Sequence, residues 1–189
     1  MRADPTPAKL AGSAEPGVIK GYASVFGAVD LSGDEVAPGA FAASLRRRGA
    51  AGVRMLWQHD PAGPIGVWTR LVEDRTGLYA EGRLALGTSG GREAHELILA
   101  GALDGLSIGF KTRWAERQGL SAPGAKRRLV GIDLWEVSVV TFPMQERARL
   151  AEWRGETGEA LQRLAARMRE AAARIGRAGS GSRPVWNIS

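Results

Sequence analysis

Ser107 stands in Gly105-Leu106-Ser107-Ile108-Gly109, which fits the G-x-S-x-G pattern of the nucleophile elbow. An elbow needs a helix directly after the serine, because the sharp turn is what exposes the hydroxyl, and its histidine base follows in the chain. Here strand-like alternation continues through Phe110, and both histidines, His59 and His95, precede the serine. The elbow is therefore excluded, but a serine nucleophile is not, since catalytic triads are defined by geometry and occur in several chain orders. His59 is the candidate base, because a neutral imidazole can take a hydroxyl proton near pH 7. A third group should fix the tautomer of that ring. Glu136 interrupts the apolar run "GIDLWEVSVV" on the face expected to hold Leu134, Ser138 and Val140. A carboxylate there costs about several kcal/mol to bury unless it is paired. Asp133 and Asp60 are rivals, although Asp60 directly follows His59 and so projects to the other face of an extended chain. His95 reads as a helix-surface residue, and Gly109 as a position that leaves an approaching substrate uncrowded. Each residue also has a plain structural reading: a strand serine bonded to backbone, a core or turn histidine, a glutamate bridged to one of many arginines.

Composition narrows the chemistry further. A chain of 189 residues, 44% hydrophobic and 24% charged, can bury a core as one domain with appendages. It has no cysteine, so disulfides, zinc–thiolate sites and thiol nucleophiles are excluded. A metal-dependent hydrolase on His59, Asp60 and His95 would be short of ligands, and no cofactor or metal is expected. Asp30, Ser32 and Asp34 around Gly33 lack the full spacing and terminal glutamate of a calcium loop, and read as a turn. The first residues, "MRADPTPAKLAG", lack an apolar signal core and no run of ~18 apolar residues occurs, which predicts a soluble cytoplasmic protein without a membrane partner. The net charge of +6 is spread along the chain, and the aromatics sit singly in apolar strands, so specific nucleic-acid binding is not expected.

The elements that must position these groups are mostly strands. "VIKGYASV" alternates as a strand, and a short helix is expected from Phe41 to Arg48. In "VRMLWQHDPAGPIG", Val53, Met55, Trp57 and His59 share one predicted strand face, ending at the Asp60-Pro61 break. A hairpin follows, turning at Asp74-Arg75-Thr76-Gly77. Thr88 or Ser89 caps a helix through "GREAHELILA", and two long strands, "LSIGFKTRW" and "RLVGIDLWEVSVVTF", complete the core. Alternating βα units are absent, which argues against a doubly wound sheet. Leu161, Leu164, Met168, Ala171 and Ile175 recur at three and four, predicting an amphipathic helix packed on its own domain or on a dimer mate.

Four blocks, "YASVFGAVDLSGDEVAPGAF", "VRMLWQHDPAGPIG", "GALDGLSIGF" and "IDLWEVSVVTFP", together resemble the prohead proteases of tailed bacteriophages, the capsid maturation serine proteases. The resemblance covers roughly residues 18–144 in the family's order. It implies a fold similar to the herpesvirus assemblins: mainly β, a closed antiparallel β-barrel ringed by a few helices, to which the apolar spacing beyond Glu146 adds a C-terminal helical tail. It implies a chain order of histidine, serine, then a third member on the next strand, with His59 as base, Ser107 as nucleophile and Glu136 in the place where assemblins use a second histidine. After the last strand the family commonly reads Pro-Ala-Asn where this chain has Pro143-Met144-Gln145. In the loop beyond, Arg147 and Arg149 are candidate oxyanion contributors. The expected organisation is a flexible arm over 1–17, a serine protease domain over 18–145, an amphipathic helical extension over 146–178 and a flexible tail over 179–189. The implied activity is cleavage of the scaffolding segment of the major capsid protein, or of a separate scaffold, and of the enzyme itself, inside the prohead in the bacterial cytoplasm. The origin implied is a phage, a prophage or a gene transfer agent. The competing reading is a non-enzymatic capsid or scaffold component whose basic tail contacts DNA.

Overall fold

A computed structural model describes residues 15–117 and 122–151. They belong to the first of two compact units, Met1–Trp153. The alternating segments form seven strands: β1 (Val18–Val25), β2 (Asp34–Val36), β3 (Arg54–Trp57), β4 (Asp60–Glu73), β5 (Gly77–Leu84), β6 (Gly105–Glu116) and β7 (Arg127–Val140). They pair in one sheet in the order β1-β5-β4-β3-β7-β2, with β6 on the other edge of β7. Two helices lie against it, α1 (Ala42–Arg48) and α2 (Ser89–Leu99). As its sequence foretells, α2 starts at Thr88, whose Oγ1 accepts from the Gly91 N–H at 3.1 Å.

The long strand β7 organises the sheet. It pairs antiparallel with β6 along its length and parallel with both β2 and β3, so the fold is not antiparallel throughout. The register between β6 and β7 shifts beside Gly109, and Trp135 is the extra residue. This is a β-bulge, which lets two successive side chains face the same way. Leu134 and Val137, three residues apart, both point into the core at 0% exposure, while Trp135 and Glu136 face outward. The expectation that Glu136 shares a face with Leu134 is corrected by that bulge. A bulge also strands backbone donors, and the Leu134 N–H is satisfied at 2.9 Å by Ser44 Oγ of α1. Inside, Trp68, Phe41, Leu78, Leu106, Leu134 and Val137 are buried. Each such side chain contributes about 1.5–3 kcal/mol by leaving water. The Trp68 indole N–H is accommodated by the Val137 carbonyl at 3.1 Å.

The architecture is a mostly β, curled sheet with few helices. Ladder pairing does not join β1 directly to β6 among the described residues, so the expected closed barrel is not completed by strands. Residues 148–151 lie in the gap instead. Gly21 bridges Leu150, Gly105 bridges Arg149, and the Leu106 N–H donates to the Ala148 carbonyl at 3.0 Å. Gly21 has to be glycine, because a Cβ there would meet the Arg149 carbonyl at 2.2 Å. Beside them Gln145 is buried and stitched to the end of β1: its Oε1 accepts from Val25 N–H at 2.6 Å and its Nε2 donates to the carbonyls of Val25 and Ala28. The helix expected from Glu146 therefore does not begin there, since residues 146–151 make turn and bridge contacts. The remainder of that helix, the tail and nearly all of the N-terminal arm lie outside the described residues. Asp30 closes a turn by accepting from the N–H groups of Ser32 and Asp34, each at 2.9 Å, as expected of that segment. No helix among the described residues is long and apolar enough to cross a membrane.

Candidate active site

Strand register brings the expected residues onto one outward face. Ser107 on β6 lies opposite Ser138 on β7, and Gly109 lies opposite Glu136. Directly opposed residues in a ladder point to the same side of the sheet. The Glu136 carboxylate folds over Gly109, so closely that a Cβ at 109 would lie 2.0 Å from Oε1. Gly109 thus makes room for the carboxylate, whereas its sequence suggested room for a substrate.

His59 arrives by a different route from the one its sequence suggests. Strand β3 ends at Trp57, which pairs with Asp60. Gln58 and His59 form the two-residue turn between them, with φ of 50° and 63°. Both central residues of a type I′ hairpin turn need positive φ, and side chains rarely adopt it outside functional or strained positions. The turn is held from β7. Gln58 N–H donates to the Val139 carbonyl at 3.0 Å, and its amide clasps Thr141, with Nε2 donating to Oγ1 at 2.7 Å. His59 therefore does not continue the face of Met55, which is in the core, but swings over to Glu136.

The resulting network is short. His59 Nδ1 lies 2.5 Å from Glu136 Oε1, Ser138 Oγ donates to Glu136 Oε2 at 2.6 Å, and Ser138 Oγ accepts from the His59 backbone N–H at 3.3 Å. An ionised carboxylate only accepts, so Nδ1 carries the proton and Nε2 is left with its lone pair. The Glu136 hydrogen bond raises the His59 pKa from its ordinary 6.5, with burial opposing and the carboxylate's charge reinforcing it. The hydrogen bonds of the His59 ring and backbone run to Glu136 and Ser138, and none joins the ring to Ser107 among the described residues. Ser107 is 5% exposed, the His59 side chain 43% and that of Glu136 13%, so His59 and Glu136 meet solvent and Ser107 sits deeper.

Other candidates lie elsewhere. Asp60 Oδ1 accepts from the Ala62 N–H at 2.8 Å and closes its own turn. Asp133, 2% exposed, receives Arg47, Arg48 and Arg113. Burial pushes its carboxyl up, but the hydrogen bonds of Arg113 and Arg48 and the charges of Arg47 and Arg48 outweigh that and hold it at about 2. His95 sits on α2 beside Glu96, at 3.6 Å. The Arg149 guanidinium reaches Asp104 at 2.6 Å and the Glu146 carbonyl at 2.9 Å, while Arg147 is exposed. Among the described residues no group of three or more metal-ligating side chains is gathered.

Three contributions escaped sequence reasoning: the Ser138 hydrogen bonds, the Gln58 clasp and the seating of the carboxylate by Gly109, for which the sequence suggested another role. Ser138, Gly109 and the Gln58 clasp do their work through register and turn shape, and only Ser138 left a signal, two residues from Glu136. A small cavity of about 40 Å³ also opens beside Ser107, lined by Ser24, Asp30, Val36, Met144 and Gln145. That is room for one water or the tip of a small side chain.

Comparison with known proteins bears on this arrangement. Residues 6–162 match the family model described as caudovirus prohead serine protease. The chain is 33% identical over 156 residues to the prohead protease of Enterobacteria phage HK97, covering 82% of this chain and 68% of that one. In fold it is similar to the KSHV protease solved with a hexapeptide phosphonate inhibitor, with a TM-score of 0.50 at 15% identity, over 79% of this chain and 76% of the other.

Proposed function

This chain belongs to the caudovirus prohead serine protease family, and from that premise we propose that it hydrolyses peptide bonds through Ser107, His59 and Glu136 acting as nucleophile, base and orienting acid. The observation that carries this reading is the 2.5 Å contact between His59 Nδ1 and Glu136 Oε1, on the face where Ser107 and Glu136 are held by one ladder. A peptidase of phage capsid maturation needs an acyl-transfer site, and these are the groups acyl transfer uses.

In the reaction, Ser107 Oγ forms a bond to the substrate carbonyl carbon as its proton passes to His59 Nε2. Glu136 holds Nδ1–H and stabilises the imidazolium. His59 then gives the proton to the leaving amine, the C–N bond breaks, and the acyl group stays on Ser107. Water enters and bonds to the acyl carbon as His59 takes its proton, then the ester C–O bond breaks, His59 returns the proton to Ser107 Oγ, and the acyl group leaves as a carboxylic acid that ionises. Backbone N–H groups supply the oxyanion hole, each worth roughly 3–4 kcal/mol in the transition state. Arg147 is exposed near the end of the segment that abuts Leu106 and is the better of the two arginine candidates, since Arg149 is engaged by Asp104 and Glu146.

The substrate is the scaffolding segment of the major capsid protein or a separate scaffold, cut inside the assembling prohead in the host cytoplasm, together with the protease itself. Confinement raises the effective concentration of that substrate. The test is co-expression with the capsid protein. Ser107→Ala and His59→Ala are expected to abolish cleavage, by about two million-fold on the scale of another serine protease, and Glu136→Ala to leave at most a trace, about thirty thousand-fold down. Normal cleavage by Ser107→Ala would remove the serine mechanism.

A further inference from the structure

The outward face that holds Glu136 does not end at the catalytic residues. Beyond the bulge it continues along β6 and β7 as Trp135, Lys111, Asp133 and Arg113, with the last turn of α1 alongside. The Arg48 guanidinium stacks over Trp135 at 4.1 Å and the Lys111 ammonium lies 4.9 Å from the same ring. Arg47, Arg48 and Arg113 converge on Asp133. Three arginines thus share one carboxylate with Lys111 beside them, so this strip sets four cations around the single carboxylate of Asp133. The strip then opens into a cleft of about 250 Å³ lined by Arg47, Arg113, Trp114, Ala43 and Gly131. Trp114, 66% exposed, forms its wall against Gly131, where a Cβ would meet the indole at 2.3 Å.

We propose that this strip is a substrate-selecting surface, which binds an acidic segment of the peptide four to six residues from the bond that is cut. The proposal rests on the serine peptidase reading above. Its distance comes from the strand itself: Lys111 and Arg113 stand four and six residues beyond Ser107, about 13 and 20 Å at strand rise, and an extended peptide advances at the same rate. Its chemistry comes from the cations. Guanidinium groups fork onto carboxylates, and the two exposed tryptophans offer apolar area beside them. The strip suits a peptide better than a nucleic acid, because stacking bases needs free ring faces. Here Trp135, the ring at the centre of the cations, is covered by Arg48 and Lys111.

The test uses the full-length protein and two sets of peptides spanning its cleaved junction, carrying paired aspartates four to six residues before the bond or after it, each with an alanine control. Lys111→Gln with Arg47→Gln removes two cations while Arg48 and Arg113 still hold Asp133. For one aspartate set we expect the double variant to raise KM by about ten-fold, with kcat and the alanine-control KM unchanged. Added salt should narrow the wild-type preference in the same way. Equal KM values for aspartate and alanine peptides in the wild type would overturn the proposal. So would loss of single-stranded oligonucleotide binding in the variant with peptide kinetics unmoved, which would make the strip a nucleic-acid surface. Labelling of Ser107 by a fluorophosphonate keeps the two readings apart: its absence in the wild type sinks the serine mechanism, whereas normal labelling without acid preference sinks only the selecting surface.

Discussion

Gly109→Ala tests the arrangement at its tightest point. The added Cβ would sit 2.0 Å from Glu136 Oε1, 2.6 Å from Cδ and 2.7 Å from Cγ, where ordinary contact begins at 3.4 Å. The carboxylate must therefore retreat by about 1.4 Å, the difference between 3.4 and 2.0 Å. It is anchored by His59 at 2.5 Å and Ser138 at 2.6 Å, and a retreat of that size breaks at least one of those bonds. The φ of Gly109 is not in the left-handed region, so the alanine backbone itself is tolerated. Misplacing a catalytic group by about 1 Å costs about 100-fold, and losing the acid altogether about thirty thousand-fold. We expect kcat/KM to fall between those limits, about 3–6 kcal/mol of transition-state stabilisation. The assay is the second-order rate of Ser107 labelling by a fluorophosphonate, alongside cleavage of the capsid precursor, with thermal melting to show that the fold persists. Glu136→Asp, which shortens the side chain by one methylene, should recover part of the loss in the Gly109→Ala background. A folded Gly109→Ala protein with wild-type rates would refute the idea that this glycine exists to seat the carboxylate.

Other expectations concern charge and fold. Because Glu136 raises the His59 pKa and the base must be neutral, kcat/KM should fall as pH drops through that raised value, and Glu136→Gln should move the acidic limb to lower pH, read from a pH–rate profile. The same linkage has a sign for stability: the raised pKa contributes fully below pH 6.5 and is lost as pH rises through the folded value. The melting temperatures of wild type and Glu136→Gln should therefore lie further apart just below pH 6.5 than at pH 9. Gly21→Ala drives a Cβ to 2.2 Å from the Arg149 carbonyl and should destabilise by about 1–3 kcal/mol, lowering the melting temperature by several degrees. Ser44→Ala leaves the Leu134 N–H at the bulge unpaired in the core and should cost about 1–3 kcal/mol by denaturant melts.

The strands, the capped helix and the hairpin at Asp74 were legible because alternation, Thr88 and Gly77 carry their own local signals. His59, Ser107 and Glu136 could be singled out as candidates because each is out of character in an apolar context. Their geometry was hidden for two reasons. Gln58-His59 is not one of the glycine-bearing pairs that announce a type I′ turn, so the strand seemed to run on to Asp60. The bulge at Trp135 breaks a two-residue period without any glycine or proline to mark it, so Leu134 was placed on the face of Glu136 when the two point to opposite sides. The bridging of 148–151 depends on partners more than forty residues away in β6 and further in β1, and no local pattern encodes it.

The single ladder between β6 and β7 has one more implication. Ser107 and Glu136 are remote in the chain and come to the same face only once those two strands are aligned, and sliding one strand by a residue would turn one of the pair to the opposite side. On the proposed triad, proteolytic competence is therefore a property of the finished sheet and is denied to every partly folded chain. A newly made copy can mingle with its future substrates, unable to harm them, until its last long strand has docked.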